Sequence, residues 1–223
     1  MQEDGVHKVG TDGVLLGAWF NRYDEGHILD IGTGTGVIAL MAAQRTGATI
    51  TAIDADPSAI LLASGNFNRS PWHQRLTAVH TRLQDFQPGY RFGHILSNPP
   101  FFRDSLLPGD PGRLRQRHEN EMPFAAILTA LPNLLEPEGR FSVILPVREG
   151  EIFMKMAVQA GFRNSRVCRV YPKDGKPAHR LMVEFRLFGD AAPVVEEVVF
   201  IMDREGNFSP EYQKLGRPFY LGF

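Results

Sequence analysis

Asp30-Ile31-Gly32-Thr33-Gly34-Thr35-Gly36 is the stretch that decides the fold. The apolar run leading into it, from His27, reads as a short buried strand, and three alternating glycines follow at once. Glycines so placed let the backbone turn tightly and approach a ligand closely, with the N-terminus of the next helix facing it. The spacing is G-x-G-x-G. A dinucleotide fingerprint would need its third glycine at Val37, and no Gly-Lys-Ser/Thr follows to make a P-loop.

Downstream, Val37 to Arg45 has helical spacing, Thr49 to Ile53 reads as a second strand ending at Asp54, and Pro57 to Asn68 as a helix with proline near its first turn. A carboxylate at Asp54 can accept from both hydroxyls of a ribose, or it can cap the helix ahead of Pro57, a role open to Asp56 as well. The strand-turn-helix-strand-acid unit favours S-adenosylmethionine as cofactor. Strands are expected at Arg75–His80, Gly93–Ser97 and Arg140–Leu145, with a Pro-Glu-Gly turn at Pro137–Gly139 before the last. Helices are expected at Thr11–Phe20, Pro123–Leu135 and Gly150–Ala160, and Phe162–Tyr171 with Arg180–Phe188 reads as a closing antiparallel pair. Alternation of this kind implies a Rossmann-like α/β fold: a mostly parallel seven-stranded sheet with one closing antiparallel strand and helices on both faces. Val194–Met202 and the tail carry no signal of where they pack.

A second stretch, Asn98-Pro99-Pro100-Phe101, directly follows the fourth parallel strand. An exocyclic aromatic amine is a poor nucleophile because its lone pair is delocalised into the ring. Two acceptors gripping its two N–H groups would hold the nitrogen toward tetrahedral geometry and aim the lone pair at an electrophilic methyl. The Asn98 side-chain oxygen and the Pro99 carbonyl can be those acceptors, while consecutive prolines fix φ and supply no competing N–H. Pro100 and Phe101 would then face the base, with the Phe101 ring as a stacking surface worth about 1–3 kcal/mol. The bland reading is a turn, since all three leading residues are turn formers. Its place after a buried strand, downstream of the glycine turn and the acid, favours the clamp.

Composition bounds the rest. At 223 residues, with 43% hydrophobic and 22% charged content, one large α/β domain is expected. The single cysteine, Cys168, excludes an internal disulfide and fits a reducing cytoplasm. No apolar run reaches the roughly 20 residues of a membrane span. His7, His80, His94, His118 and His179 lack metal spacing, so no metal is expected. Net charge is −1, yet Arg163, Arg166, Arg169, Lys173, Lys176 and Arg180 face only Asp174 in their segment. Arg103, Arg113, Arg115 and Arg117 lie in the long loop Phe102–Met122 with Asp104 and Asp110. These are phosphate-binding faces or solvated charges. Arg113, Arg115 and Arg117 are the candidate phosphate contacts.

These residues resemble the class I S-adenosylmethionine-dependent amino-methyltransferases, and most nearly the bacterial family that methylates N6 of the adenine 3′ to the anticodon of a valine tRNA. The resemblance rests on Lys8-Val9-Gly10-Thr11-Asp12-Gly13-Val14-Leu15-Leu16-Gly17-Ala18-Trp19, on Asp30–Gly36 and Asn98–Phe101, and on Asn66–Trp72 and Phe219-Tyr220-Leu221. It implies that Gly10 and Thr11 lie by the methionine part of the cofactor, with Asp30, Gly32 and Gly34 around it. It further implies that Asp54 binds the ribose, and Asn98 with Pro99 the target amine, tRNA being the partner and S-adenosylhomocysteine the product. Many relatives carry Tyr where Phe101 stands. The acid often found after strand three is replaced here by Arg82-Leu83, so the Leu83 amide is expected to meet the adenine ring. Relatives usually have a basic and aromatic segment before the Lys8 stretch, so the single domain, residues 1–223, is expected to lack a short N-terminal piece. A monomer in the cytoplasm is expected. The same clamp would suit guanine N2 in ribosomal RNA or a protein glutamine amide, and the scaffold could also serve as a non-catalytic cofactor- and RNA-binding module.

Overall fold

The computed structural model describes residues 10–21, 24–100, 124–187 and 192–220. Phe101, Arg113, Arg115, Arg117, Lys8 and Leu221 lie outside them. Strands β1 (His27–Ile31), β2 (Thr49–Asp54), β3 (Leu76–His80), β4 (Phe92–Ser97), β5 (Leu135–Pro146), β6 (Phe162–Lys173), β7 (Arg180–Leu187) and β8 (Val195–Met202) form one sheet in the order β3-β2-β1-β4-β5-β7-β6-β8. The five strands from β3 to β5 are mutually parallel, and β7 is antiparallel to both β5 and β6. The expected seven strands become eight: β8 pairs in parallel with β6 and extends the sheet beyond the closing strand.

Helices α1 (Thr11–Trp19), α2 (Val37–Arg45), α3 (Pro57–Asn68), α4 (Phe124–Leu134), α5 (Val147–Gln159) and α6 (Pro210–Gly216) cover the sheet. Strand alternation sorts the core. Ile28, Ile50, Ala52, Leu96 and Met182 meet α1, α2, α3 and α6 on one face. Leu29, Ile31, Ile53, Ile95 and Val183 meet α4 and α5 on the other. The parallel strands are buried on both sides, which is why they read as near-continuous apolar runs.

Two local departures have physical causes. The expected Pro137–Gly139 turn is not a separate turn, because β5 already begins at Leu135. Its register against β4 jumps from Phe92↔Leu135 to His94↔Arg140, so the turn residues are absorbed as a bulge. In α1, Gly13 and Gly17 are both buried, and a Cβ on Gly17 would lie 2.7 Å from Met41 Sδ. These two glycines let α1 lie directly against α2.

Candidate active site

The functional edge of the sheet is the C-terminal end of β1, β2, β3 and β4, beside the switch point between β1 and β4. After β1 the chain enters the glycine turn. The amides of Gly32 and Thr33 both donate to the Ile53 carbonyl, at 2.9 and 3.1 Å, tying the turn to the end of β2. A Cβ on Gly32 or Gly34 would meet nothing within 4 Å, so the outer face of the turn is an open cradle. Gly36 differs: at φ +80° it sits in the left-handed region, and a Cβ there would lie 2.5 Å from the Phe67 ring. Asn66, the residue before, donates from Nδ2 to the Thr35 carbonyl at 2.8 Å. The Asn66-Phe67 pair in α3 thus buttresses the turn from behind, which explains a stretch to which sequence reading assigned no role.

Asp54 closes the other side. Its Oδ2 accepts from the Gly34 amide and its Oδ1 from the Asp56 amide, both at 2.9 Å. Helix α3 is capped instead by Asp56, which accepts from the Ser58 amide at 2.8 Å. The capping alternative for Asp54 therefore falls away. Each of its oxygens keeps a lone pair that can accept a hydroxyl. Leu83 follows β3 as the first residue of a short 3-10 turn and is buried; an amide in that position has no acceptor within its own turn. Gly10 and Thr11 are exposed where α1 begins.

Asp30 lies beneath the glycine turn, fully buried, with Oδ2 accepting from Thr33 Oγ1 at 2.6 Å and Oδ1 without a partner. Burial pushes its carboxyl up to about 7. At the end of β4, the buried Ser97 hydroxyl donates to the Ile31 carbonyl at 2.9 Å, locking the clamp strand to the cofactor strand. Asn98 follows immediately. Its Oδ1 is buried and has no hydrogen-bond partner among the described residues. Pro99 is buried and Pro100 exposed. An orphaned acceptor here is the feature the clamp requires, and a simple turn gives no reason for it.

The structure thus brings Asp30, Gly32, Gly34, Asp54, Leu83 and Asn98 to one edge. It also divides the basic segment. Arg166 stacks 4.2 Å over Trp19 and pairs with Glu197 at 3.0 Å, and Arg180 pairs with Asp12 at 2.8 Å, so both serve the fold. Thr33, Asn66, Phe67 and Ser97 were not singled out from sequence. Phe67 falls four residues after the buried Ala63 on one face of α3, so periodicity could have found it.

Two buried groups oppose each other in acid. Asp30, at about 7 in the fold against 3.8, holds a proton the unfolded chain has lost, so its contribution to stability falls as pH rises from 3.8 through 7. His94 is pushed down to about 3 from 6.5, chiefly by burial, so the unfolded chain takes up a proton the fold refuses and stability falls as pH drops below 6.5. Over most of that range the two offset. Asp30→Asn is expected to be more stable than the parent at pH 7.5 and then to lose about 1.4 kcal/mol per pH unit below 6.5. Urea unfolding at a series of pH values checks this. A variant profile parallel to the parent's would contradict it.

A family model described as the methyltransferase small domain matches residues 8–110. A protein of Vibrio campbellii is 44% identical over 96% of this chain and 88% of its own length. One of Vibrio parahaemolyticus is 42% identical over the same shares, and one of Dyadobacter fermentans 38% identical over 100% and 94%. All three are named tRNA1(Val) (adenine(37)-N6)-methyltransferase. Among solved structures, a predicted O-methyltransferase of Agrobacterium tumefaciens superposes with a TM-score of 0.63 at 16% identity, over 92% of this chain and 95% of that one. A glycopeptide N-methyltransferase complexed with S-adenosyl-L-methionine gives 0.58 at 16%, over 82% and 90%. At such identities these two speak for the fold alone.

Proposed function

The chain belongs to the family of tRNA1(Val) (adenine(37)-N6)-methyltransferases, and from that premise we propose how its own residues carry out the reaction. The enzyme transfers a methyl group to the exocyclic N6 amine of an adenine in tRNA. The observation that carries the assignment of roles is the buried, unpartnered Asn98 Oδ1 at the end of β4.

The residues at the edge fit S-adenosylmethionine. The open faces of Gly32 and Gly34 leave room for its backbone-hugging end, and Asp54 offers two acceptor oxygens for the ribose hydroxyls. The Leu83 amide is positioned at the start of its turn for the adenine ring, and Gly10 and Thr11 stand at the methionine end. When bound, the cofactor supplies an electrophilic methyl on a sulfonium and leaves as S-adenosylhomocysteine.

Asn98 Oδ1 and the Pro99 carbonyl accept the two N–H groups of the target amine. Held this way, the nitrogen is drawn out of conjugation and its lone pair has one direction. Orientation of this kind supplies most of the acceleration. The methylated nitrogen loses a proton readily, so no dedicated base is required. An adenine must leave its stack to reach the clamp, as enzymes acting on a base demand. Pro100 and Phe101 receive it, and Arg113, Arg115 and Arg117 hold flanking phosphates. The chain works as a monomer in the cytoplasm. Among the described residues no helix is long and apolar enough to cross a membrane.

Asp30 gives this reading a pH signature. A cationic ligand above the turn favours the ionised carboxylate, so S-adenosylmethionine affinity rises with pH up to about 7 and then levels. Below that point the gain reaches up to about tenfold per pH unit, and Asp30→Asn abolishes it. Titration calorimetry between pH 5.5 and 8.5 reads both; equal pH dependence in parent and variant would remove Asp30 from the cofactor site.

The acceptor class is tested by transfer of labelled methyl to bulk unmodified tRNA, ribosomal RNA and a protein extract. Label in tRNA, recovered as N6-methyladenine after digestion, is expected. Label confined to ribosomal RNA or protein would overturn the tRNA reading and leave the clamp intact.

A further inference from the structure

Helix α1 begins without a side-chain cap: Gly10 is extended at φ −82°, ψ 147°, and no side chain accepts from the first amides. Those amides and the helix dipole make the start of α1 a place for an anion. Its location ties it to the cofactor edge. Gly13, in the same turn, lies against Val37, the residue directly after Gly36, where a Cβ would stand 3.0 Å from Val37 Cγ1. The open space at Gly10, where a Cβ would meet nothing within 4 Å, therefore adjoins the glycine cradle. One feature opposes an anion here. Asp12 sits in the first turn, only 16% exposed, and its charge would repel a ligand carboxylate.

Arg180 answers that charge. It is the first residue of β7, opposite Pro146 at the functional edge of the sheet, and its Nε donates to Asp12 Oδ2 at 2.8 Å. Its Nη1 donates to the His179 carbonyl at 3.0 Å, and His179 Nδ1 lies 3.1 Å from the Val170 carbonyl, so the guanidinium is held on a fixed strand end. An acidic residue in a first turn is already favoured by the helix dipole and needs no partner for the helix to form. The pair is better explained by what it permits.

We propose that Arg180 is a positioning residue for the amino-acid end of S-adenosylmethionine: by neutralising Asp12 it leaves the start of α1 able to receive the cofactor's carboxylate. This rests on the cofactor reading above and moves Arg180 from the candidate RNA contacts to the cofactor side. A repelling charge and a lost anchor make different predictions. If Asp12 repels once unpaired, removing both partners restores what removing Arg180 takes away. If the pair only fastens α1, the double variant is no better than the single one.

The test is titration calorimetry of the full chain with S-adenosylmethionine and with 5′-methylthioadenosine, which keeps the nucleoside and lacks the amino-acid end. Arg180→Gln is expected to weaken S-adenosylmethionine about five- to tenfold and to leave 5′-methylthioadenosine unchanged. Arg180→Lys retains the affinity, and Asp12→Asn combined with Arg180→Gln regains most of it. Equal loss for both ligands, no loss for either, or failure of the double variant to recover would overturn the proposal. If the parent itself bound neither ligand, the cofactor reading would fall first and take this inference with it.

Discussion

Asn98→Ala is expected to lower kcat at least a thousandfold, by analogy with about 2.7–4 kcal/mol for a lost transition-state hydrogen bond, while S-adenosylmethionine affinity stays within about threefold. The reason is specific. Without Asn98 Oδ1 the target amine keeps its conjugation and its lone pair has no preferred direction, but the glycine cradle and Asp54 remain. The fold should not suffer. Asn98 Oδ1 is buried and accepts nothing among the described residues, so its removal breaks no hydrogen bond of that oxygen and deletes an unsatisfied polar atom. The melting temperature is therefore expected to stay level or rise slightly. A dead enzyme that is no less stable is the mark of a group kept for chemistry. Single-turnover methylation with parallel thermal melts checks both halves. A large drop in melting temperature would instead make Asn98 a structural turn residue.

The second large effect concerns Gly36. Any side chain there must hold φ near +80° and must also displace the Phe67 ring, which a Cβ would approach to 2.5 Å. Left-handed strain and overpacking together predict a loss of about 2–4 kcal/mol for Gly36→Ala. In a chain of this size each kcal/mol shifts the melting temperature by about 2–4 °C. Phe67→Leu in the same background should recover only the steric part. Gly34→Ala separates stability from binding. It is strained as well, at φ +54°, but a Cβ there meets open space, so the folded protein loses less and the cradle fills. The expected order is Gly36→Ala the less stable and Gly34→Ala the weaker in cofactor binding. The reverse order would mean the open face of the turn is not where the cofactor lies.

Legibility in the sequence followed physical range. The glycine turn, Asp54 and Asn98-Pro99-Pro100 could be read because each is a local pattern set at the end of a buried apolar strand. What could not be read was contact at a distance. Asn66 lies 31 residues from the Thr35 carbonyl it supports, and Asp12 lies 168 residues from Arg180. No spacing in the chain signals either pair. The basic segment misled for the same reason, since the carboxylates that occupy Arg166 belong to β7 and β8. Strand β8 was missed as a sheet member because an edge strand with Glu196 and Glu197 in its middle carries little alternation. At Pro137–Gly139 the turn chemistry was read correctly and its context was not: the bulge keeps the residues' turn habit inside a strand that continues past them.

The most direct test of the account is to locate the methyl group after reaction of the parent chain with an unmodified tRNA1(Val) transcript. The account predicts one N6-methyladenine at position 37, absent when that adenine is replaced by a purine lacking the exocyclic amine. Methyl on a ring nitrogen, on another nucleotide, or still transferred to the amine-free transcript would contradict it, because an Asn98–Pro99 grip has no purchase where there are no amine hydrogens to hold.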